Sequence, residues 1–210
     1  MAQQEWPLKQ KHYAILNYAR IRVDPQNRFK PDQQRDLRKK LQDGLFFSNT
    51  LKYWASNSGK DCFALYARRL QITGSDDNSC WIWDQDQDQE TEDRKVEVAE
   101  SVKVRWLEAR TRFSTVNLQQ SATYNVYFVV KVKEQKMLNV PLNVKLVLPD
   151  GSKQETQRSV SSLDKWERLL VGTFRTAYNT IGMLDISLQQ VDDKWKERIV
   201  IKCVEIVAQD

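Results

Sequence analysis

The C-terminal half of this chain alternates apolar and polar residues with a period of two, a pattern that suits a half-buried antiparallel sheet and little else. Val102-Lys-Val104-Arg-Trp106, Tyr124-Asn-Val126-Tyr-Phe128, Val130-Lys-Val132-Lys133 and Leu184-Asp-Ile186-Ser-Leu188 all follow it. Val140-Pro-Leu142-Asn-Val144-Lys-Leu146-Val-Leu148 continues it until Pro149-Asp150-Gly151 turns the chain. Leu169-Leu-Val171 and Ile199-Val-Ile201-Lys-Cys203-Val come later. Successive strand side chains point to opposite faces, so each segment offers one face to a core and one to water. Many such strands with short turns and little helix predict a mostly β, antiparallel sandwich or barrel. Trp106, inside an alternating strand, is expected in the core, and Trp166 is expected to pack inward.

Upstream of Gly44 the texture differs. HYAILNYARIR, residues 12–22, is a short apolar stretch that fits helix or strand. Pro31-Asp32 then opens a polar run ending at Gly44, and Pro or Asp at the start with Gly just past the end marks a helix. Arg35, Arg38, Lys39 and Lys40 make the expected outer face of that helix basic. Residues 1–44 therefore read as a small, partly helical, basic extension and residues 45–210 as the β-sandwich. Within the latter, residues 84–100 carry eight acids against two bases. Asp84 to Asp93 has no apolar residue to bury, so 84–100 is expected to be a mobile, acidic surface loop. It lacks the glycine and terminal glutamate of an EF-hand, and no calcium is expected there.

Charge and inventory narrow the function. Residues 1–70 carry fourteen Lys/Arg against six Asp/Glu. Such a basic region attracts polyanions, RNA among them, with a merely solvated surface as the alternative. No run approaches the ~18 apolar residues that span a bilayer, and the start lacks a secretory pattern, so a cytoplasmic protein with no membrane partner is expected. His12 is the sole histidine, and Cys62, Cys80 and Cys203 form no Cys-x-x-Cys pair, so neither a metal nor another cofactor is expected. The thiols read as buried or idle, or as intermolecular cross-linkers. No phosphate loop, Gly-x-Ser-x-Gly or His-Glu-x-x-His is present, so no enzyme and no catalytic residue is expected.

Tryptophan is the informative residue. Trp81 and Trp83 follow the polar loop Gly74-Ser-Asp76-Asp77-Asn78-Ser79, at a spacing that puts both on one side of a strand. An indole can stack on the apolar face of a sugar ring while Asp76, Asp77 and Asn78 meet its hydroxyls. The alternative is that both indoles are core, where large aromatics dominate.

Several segments resemble one family. These are SNTLKYWASNSGKDCFALYARRLQIT (48–73), Val104-Arg-Trp106-Leu-Glu108, Thr123-Tyr124-x-Val-Tyr-Phe128, Leu146-x-Leu-Pro149-Asp-Gly151, Val171-Gly-x-Phe174 and Trp195-Lys-x-x-Ile-Val-Ile-Lys202. In this order they are similar to the phloem protein 2 family, which includes the Nictaba-type lectins and the phloem lectins of cucurbits. The resemblance implies a jelly-roll-like sandwich in the cytoplasm of phloem sieve elements or companion cells, with a part in plant defense. It implies binding of N-acetylglucosamine oligomers, whether chitin oligosaccharides or the N-glycan cores of glycoproteins. It also implies homodimers, affinity for RNA, and disulfide linkage to the phloem filament protein. Carried over by position, Trp81 is a sugar-contacting tryptophan, Gly74 stands where the family has another, and Gln190, with Asp192 two residues on, stands at the family's carboxylate. Loss of a stacking indole costs ~1–3 kcal/mol, about ten- to a hundred-fold in affinity, so the resemblance implies a weakened or altered sugar site.

Overall fold

The computed structural model describes residues 6–19, 31–87 and 95–210, apart from the side chains of residues 31, 87 and 191–194. Helices α1 (Gln10–Tyr18) and α2 (Pro31–Asp43) precede β1 (Leu45–Ser48), β2 (Leu51–Ala55), β3 (Asp61–Tyr66), β4 (Gln71–Ile72) and β5 (Trp81–Gln87). There follow β6 (Lys95–Ser101), β7 (Val104–Ser114), β8 (Thr123–Val132), β9 (Leu142–Val147), β10 (Lys153–Arg158), β11 (Glu167–Arg175), β12 (Met183–Lys196) and β13 (Ile199–Ala208). The strands pair antiparallel in two sheets. One runs β1-β2-β3-β13-β6-β5, with β8 and then β11 continuing from the other edge of β13; the second runs β10-β9-β12-β7-β4. The mostly β sandwich expected from the alternation is what forms.

Alternation decides which side chains meet between the sheets. Tyr124, Val126, Phe128 and Val130 of β8 and Ile199, Ile201, Val204 and Ile206 of β13 face Leu184, Ile186 and Leu188 of β12 and Val144 and Leu146 of β9. Each such apolar side chain contributes about 1.5–3 kcal/mol when removed from water. Trp6, Leu16, Leu37 and Leu41 of the N-terminal segment extend the same core, and α2 lies against β2. Gly44 ends α2 as expected. Its φ is +98°, in the left-handed region, and its N–H donates to the Lys40 carbonyl at 3.2 Å. The Lys52 side chain crosses the space a Cβ at Gly44 would take.

Three expectations change. Arg38 does not belong to the exposed basic face; it is buried, and its guanidinium donates to the Trp6 carbonyl at 3.2 Å. Arg35, Lys39 and Lys40 are exposed, with Lys39 paired to Asp43 at 2.7 Å. Within the expected loop 84–100, Asp84–Gln87 belong to β5 and Lys95–Glu100 to β6, paired from Trp81↔Ser101 to Gln87↔Lys95. Residues 88–94 lie outside the described residues. The pairing holds because Val96 and Val98 bury their side chains, while β5 is an edge strand whose acids can face water. Trp166 is not in the main core: it lies half-buried on the outer face of the first sheet, beside Tyr66, Val129 and Cys203. Cys62 and Cys203 are buried, Cys80 is half-buried, and all three are free thiols. Burial pushes the Cys62 thiol up to about 12, and its sulfur accepts the Ala208 N–H at 3.3 Å.

His12 ties α1 to this body. Its ring meets Trp6 edge-on at 5.0 Å, its Nδ1 accepts the Lys9 N–H at 2.9 Å, and the neighbouring Lys11 pairs with Asp61. Burial, then the positive charge of Lys11, pulls the imidazole down from 6.5 to about 4, against the opposing pull of Asp61. The folded state therefore holds His12 neutral where the unfolded chain would protonate it. Its docking is fully stable above about pH 6.5 and weakens as pH falls towards 4, by on the order of 3 kcal/mol. Amide protection factors in α1 should fall across that window in the wild type and stay level in His12→Leu. Equal pH dependence in the two proteins would refute the linkage.

Candidate functional site

Trp81 and Trp83 do share one side of β5, as their spacing requires, but that side faces the core. Trp81 is 0 % exposed, and its indole N–H donates to the Thr73 carbonyl at 3.0 Å. Trp83 is half-buried, donates to the Ser75 carbonyl at 3.2 Å and carries the Arg68 guanidinium 3.6 Å above its ring. Arg68 is in turn paired with Glu97 at 2.8 Å. Both indoles thus act as struts for the loop between β4 and β5, and the residue turned to solvent between them is Ile82. Asp76 is exposed in that loop. Asp77 accepts the Ser79 N–H at 2.8 Å and the Ser79 hydroxyl at 2.7 Å, which holds its carboxyl below the usual range and closes an Asx turn.

Gln190 stands apart from this loop. It lies on β12, in register with Leu107 of β7, and is 7 % exposed. With Met137, Pro141, Trp195 and Lys196 it lines a cavity of about 420 Å³. Lys103 and Arg105 lie 4.8 and 4.6 Å from the centre of the Trp195 ring. The backbone of Asp192 belongs to β12, and its side chain lies outside the described residues. The structure therefore keeps Trp81, Trp83, Asp76 and Asp77 together around one loop and sets Gln190 two strands away, across β7.

What lies between them is the more open surface. Trp106, expected in the core, is 56 % exposed on the outer face of β7. Leu107, Ala109 and Phe113 take the inward positions, which leaves Trp106, Glu108, Arg110 and Arg112 outward. Glu108 follows Trp106 on that face at a strand spacing of about 7 Å. One oxygen of Glu108 accepts the Thr73 hydroxyl at 3.1 Å and the other the Gln189 amide at 2.8 Å. Gln189 is in register with Asn143 of β9, and Asn143 with Gln157 of β10. Thr73, Glu108, Gln189, Asn143 and Gln157 thus form one polar row across the five-stranded sheet, about 19 Å wide at ~4.8 Å per gap, with Trp106 beside it. The neighbouring row is taken up by ion pairs, Arg110 with Asp185 and Lys145 with Glu155 at 3.2 Å. The signal for Trp106 was in the sequence: three charged residues at two-residue spacing after it, Glu108, Arg110 and Arg112, give the phase of the strand.

An antiparallel sandwich with an exposed indole beside a row of carboxylate and amide groups is a binding protein in form. The phloem protein 2 family model matches residues 60–208, and the chain belongs to that family. It is 31 % identical over 179 residues to Protein PHLOEM PROTEIN 2-LIKE A1 of Arabidopsis thaliana, covering 81 % of this chain and 72 % of that one. A lectin of Luffa acutangula is 35 % identical over 153 residues, covering 70 % of this chain and 72 % of its own. A lectin of Coccinia grandis is 30 % identical over 138 residues, covering 64 % and 86 % respectively. Among solved structures, a CBM22-1 xylan-binding domain from Paenibacillus barcinonensis aligns with a TM-score of 0.39 at 15 % identity, covering 68 % of this chain and 86 % of that one.

The two indoles make opposite stability predictions. Trp81→Ala leaves a cavity and strands the Thr73 carbonyl, and should cost about 3–5 kcal/mol in a urea unfolding experiment. Trp106→Ala, on an exposed face, should stay within about 0.5 kcal/mol of wild type. Equal losses would show that Trp106 is a core residue after all.

Proposed function

We propose that this chain is a lectin for N-acetylglucosamine oligomers and that the sugar lies along the polar row of the five-stranded sheet with one ring stacked on Trp106. The observation that carries this reading is the exposed Trp106 beside the Thr73–Glu108–Gln189 hydrogen-bonded set. An indole face is apolar and broad enough to cover the C–H face of a pyranose. An ionised carboxylate offers about four acceptor sites, and Glu108 uses two of them on Thr73 and Gln189. The remaining two can accept sugar hydroxyls or an acetamido N–H. Gln189, Asn143 and Gln157 supply amides that both donate and accept, and their spacing along the row suits several consecutive rings rather than one. The family's lectins from Luffa acutangula and Coccinia grandis support carbohydrate as the ligand class.

This reading shifts the sugar platform away from Trp81 and Trp83, whose indole N–H groups are committed to Thr73 and Ser75. It also accounts for Gly74 at the position of a family tryptophan. Gly74 follows Thr73, directly beside the row, and its φ of +75° favours glycine. The stacking role there passes to Trp106 on the adjacent strand.

Calorimetric titration with chitotriose tests the proposal. Wild type should bind. Trp106→Ala should bind about ten- to a hundred-fold more weakly, and Glu108→Gln about ten-fold more weakly, for loss of a stacked indole and of a charge-assisted hydrogen bond. Unchanged affinity in Trp106→Ala, with the variant folded, rules this site out.

A further inference from the structure

A second concave surface lies on the opposite side of the molecule, on the outer face of the first sheet. An outer sheet face is ordinarily flat and polar. Here small residues, Ala64 of β3 and Val129 of β8, form a floor, and Trp54, Tyr66 and Trp166 rise around it. Register places Tyr66, Cys203 and Val129 side by side across β3, β13 and β8, with Arg168 of β11 next in line. The resulting groove has a volume of about 340 Å³, the scale of a small-molecule site.

Its charge leans positive. Lys52, Arg168 and Lys202 line the groove with Glu205, and Asp86 of β5 reaches Lys202, so three cations meet two carboxylates. The cations are held in position rather than free to swing. Lys202 pairs with Asp86 at 3.1 Å and Arg168 with Glu205 at 2.7 Å, while Lys52 lies 5.6 Å from the centre of the Phe46 ring. Lys131 and Lys202 lie 4.8 and 5.2 Å from the centre of the Trp166 ring. Alternation after Ile199 and Ile201 turns Lys202 outward, and a register shift between Ile201 and Cys203 in β13 brings Cys203 to the same face beside it. A bulge of this kind re-aims a side chain, here Cys203, that strict alternation would have sent to the core. Lys52 and Lys202 are both largely buried, so little water competes with an anion that reaches them.

We propose that this groove is a second binding site, for a small anion that carries a flat apolar body, the simplest case being an aryl carboxylate. The flat body packs against Trp166 and Trp54 over the Ala64–Val129 floor, and the anionic group meets Lys202 and Lys52. The site shares no residue with the polar row of the other sheet and does not depend on that row binding sugar.

Calorimetry on the whole chain separates the two halves of this claim with three probes: 2-naphthoate, its neutral analogue 2-naphthamide, and acetate. The naphthoate should bind at least about ten-fold tighter than the amide, as loss of a charge-assisted contact requires, and acetate should give no signal. Trp166→Ala and Lys202→Met should each weaken naphthoate binding by about ten-fold, and Lys202→Arg should restore it. Thermal unfolding checks that each variant is folded. Chitotriose affinity should be the same in Trp166→Ala as in wild type. Equal binding of naphthoate and naphthamide, naphthoate affinity unmoved by Trp166→Ala, or loss of chitotriose in place of naphthoate in that variant would each overturn the assignment.

Discussion

The fold hangs on one strand. β13 pairs with β8 along its whole length on one edge, and with both β6 and β3 on the other. Three separate parts of the chain therefore share its backbone hydrogen-bonding groups, and its residues from Ile199 to Val204 are all buried. A strand in that position cannot fray without breaking the pairings that join β1 to β3, the β5/β6 pair and the β8/β11 pair into one sheet. Its inward side chains, Ile201, Val204 and Ile206, are also the floor on which the second sheet rests. Because β13 pairs with partners far away in sequence, the fold is rich in non-local contacts, the kind that makes folding slow.

The second sheet owes its open face to this arrangement. With β12 and β7 paired over most of their length and their inner residues committed to the core, the outer residues are left in register, and among the described residues no further strand or helix is layered over them. Register then does what a loop does in other binding proteins: it aligns Thr73, Glu108, Gln189, Asn143 and Gln157 in a row held by rigid backbone. The loop between β4 and β5 contributes as a support. Trp81 and Trp83 pin it by donating to Thr73 and Ser75, and Thr73 in turn donates to Glu108. Sites carried on strands and braced by buried aromatics keep their geometry without a ligand, which lowers the ordering cost of binding.

The strands were legible because alternation reports burial directly, and the helix of residues 31–43 was legible because Pro31 and Gly44 punctuate it. What alternation does not report is phase near an irregularity. Trp106 sits where β7 changes its burial pattern, with Arg105 and Trp106 both outward, so its neighbours on one side argue for the core and on the other for solvent. Trp81 and Trp83 were correctly set on one side of a strand, yet nothing local says which side a sheet will cover. The acidic residues of β5 looked like loop because edge strands tolerate charge. Only the valines of β6 mark the pairing. Arg38 looked like surface because its buried partner is a backbone carbonyl, which no side-chain pattern reveals.

The central claim is that the sugar meets Trp106 and not the indoles of β5. The most direct measurement is an NMR titration that follows the seven indole N–H resonances, each assigned from its Trp→Phe variant, as chitotriose is added. The Trp106 resonance should move progressively to saturation while those of Trp81 and Trp83, tied to Thr73 and Ser75, stay close to their starting positions. A large shift at Trp83 or Trp81 with Trp106 unmoved would contradict the account and return the site to the β4–β5 loop.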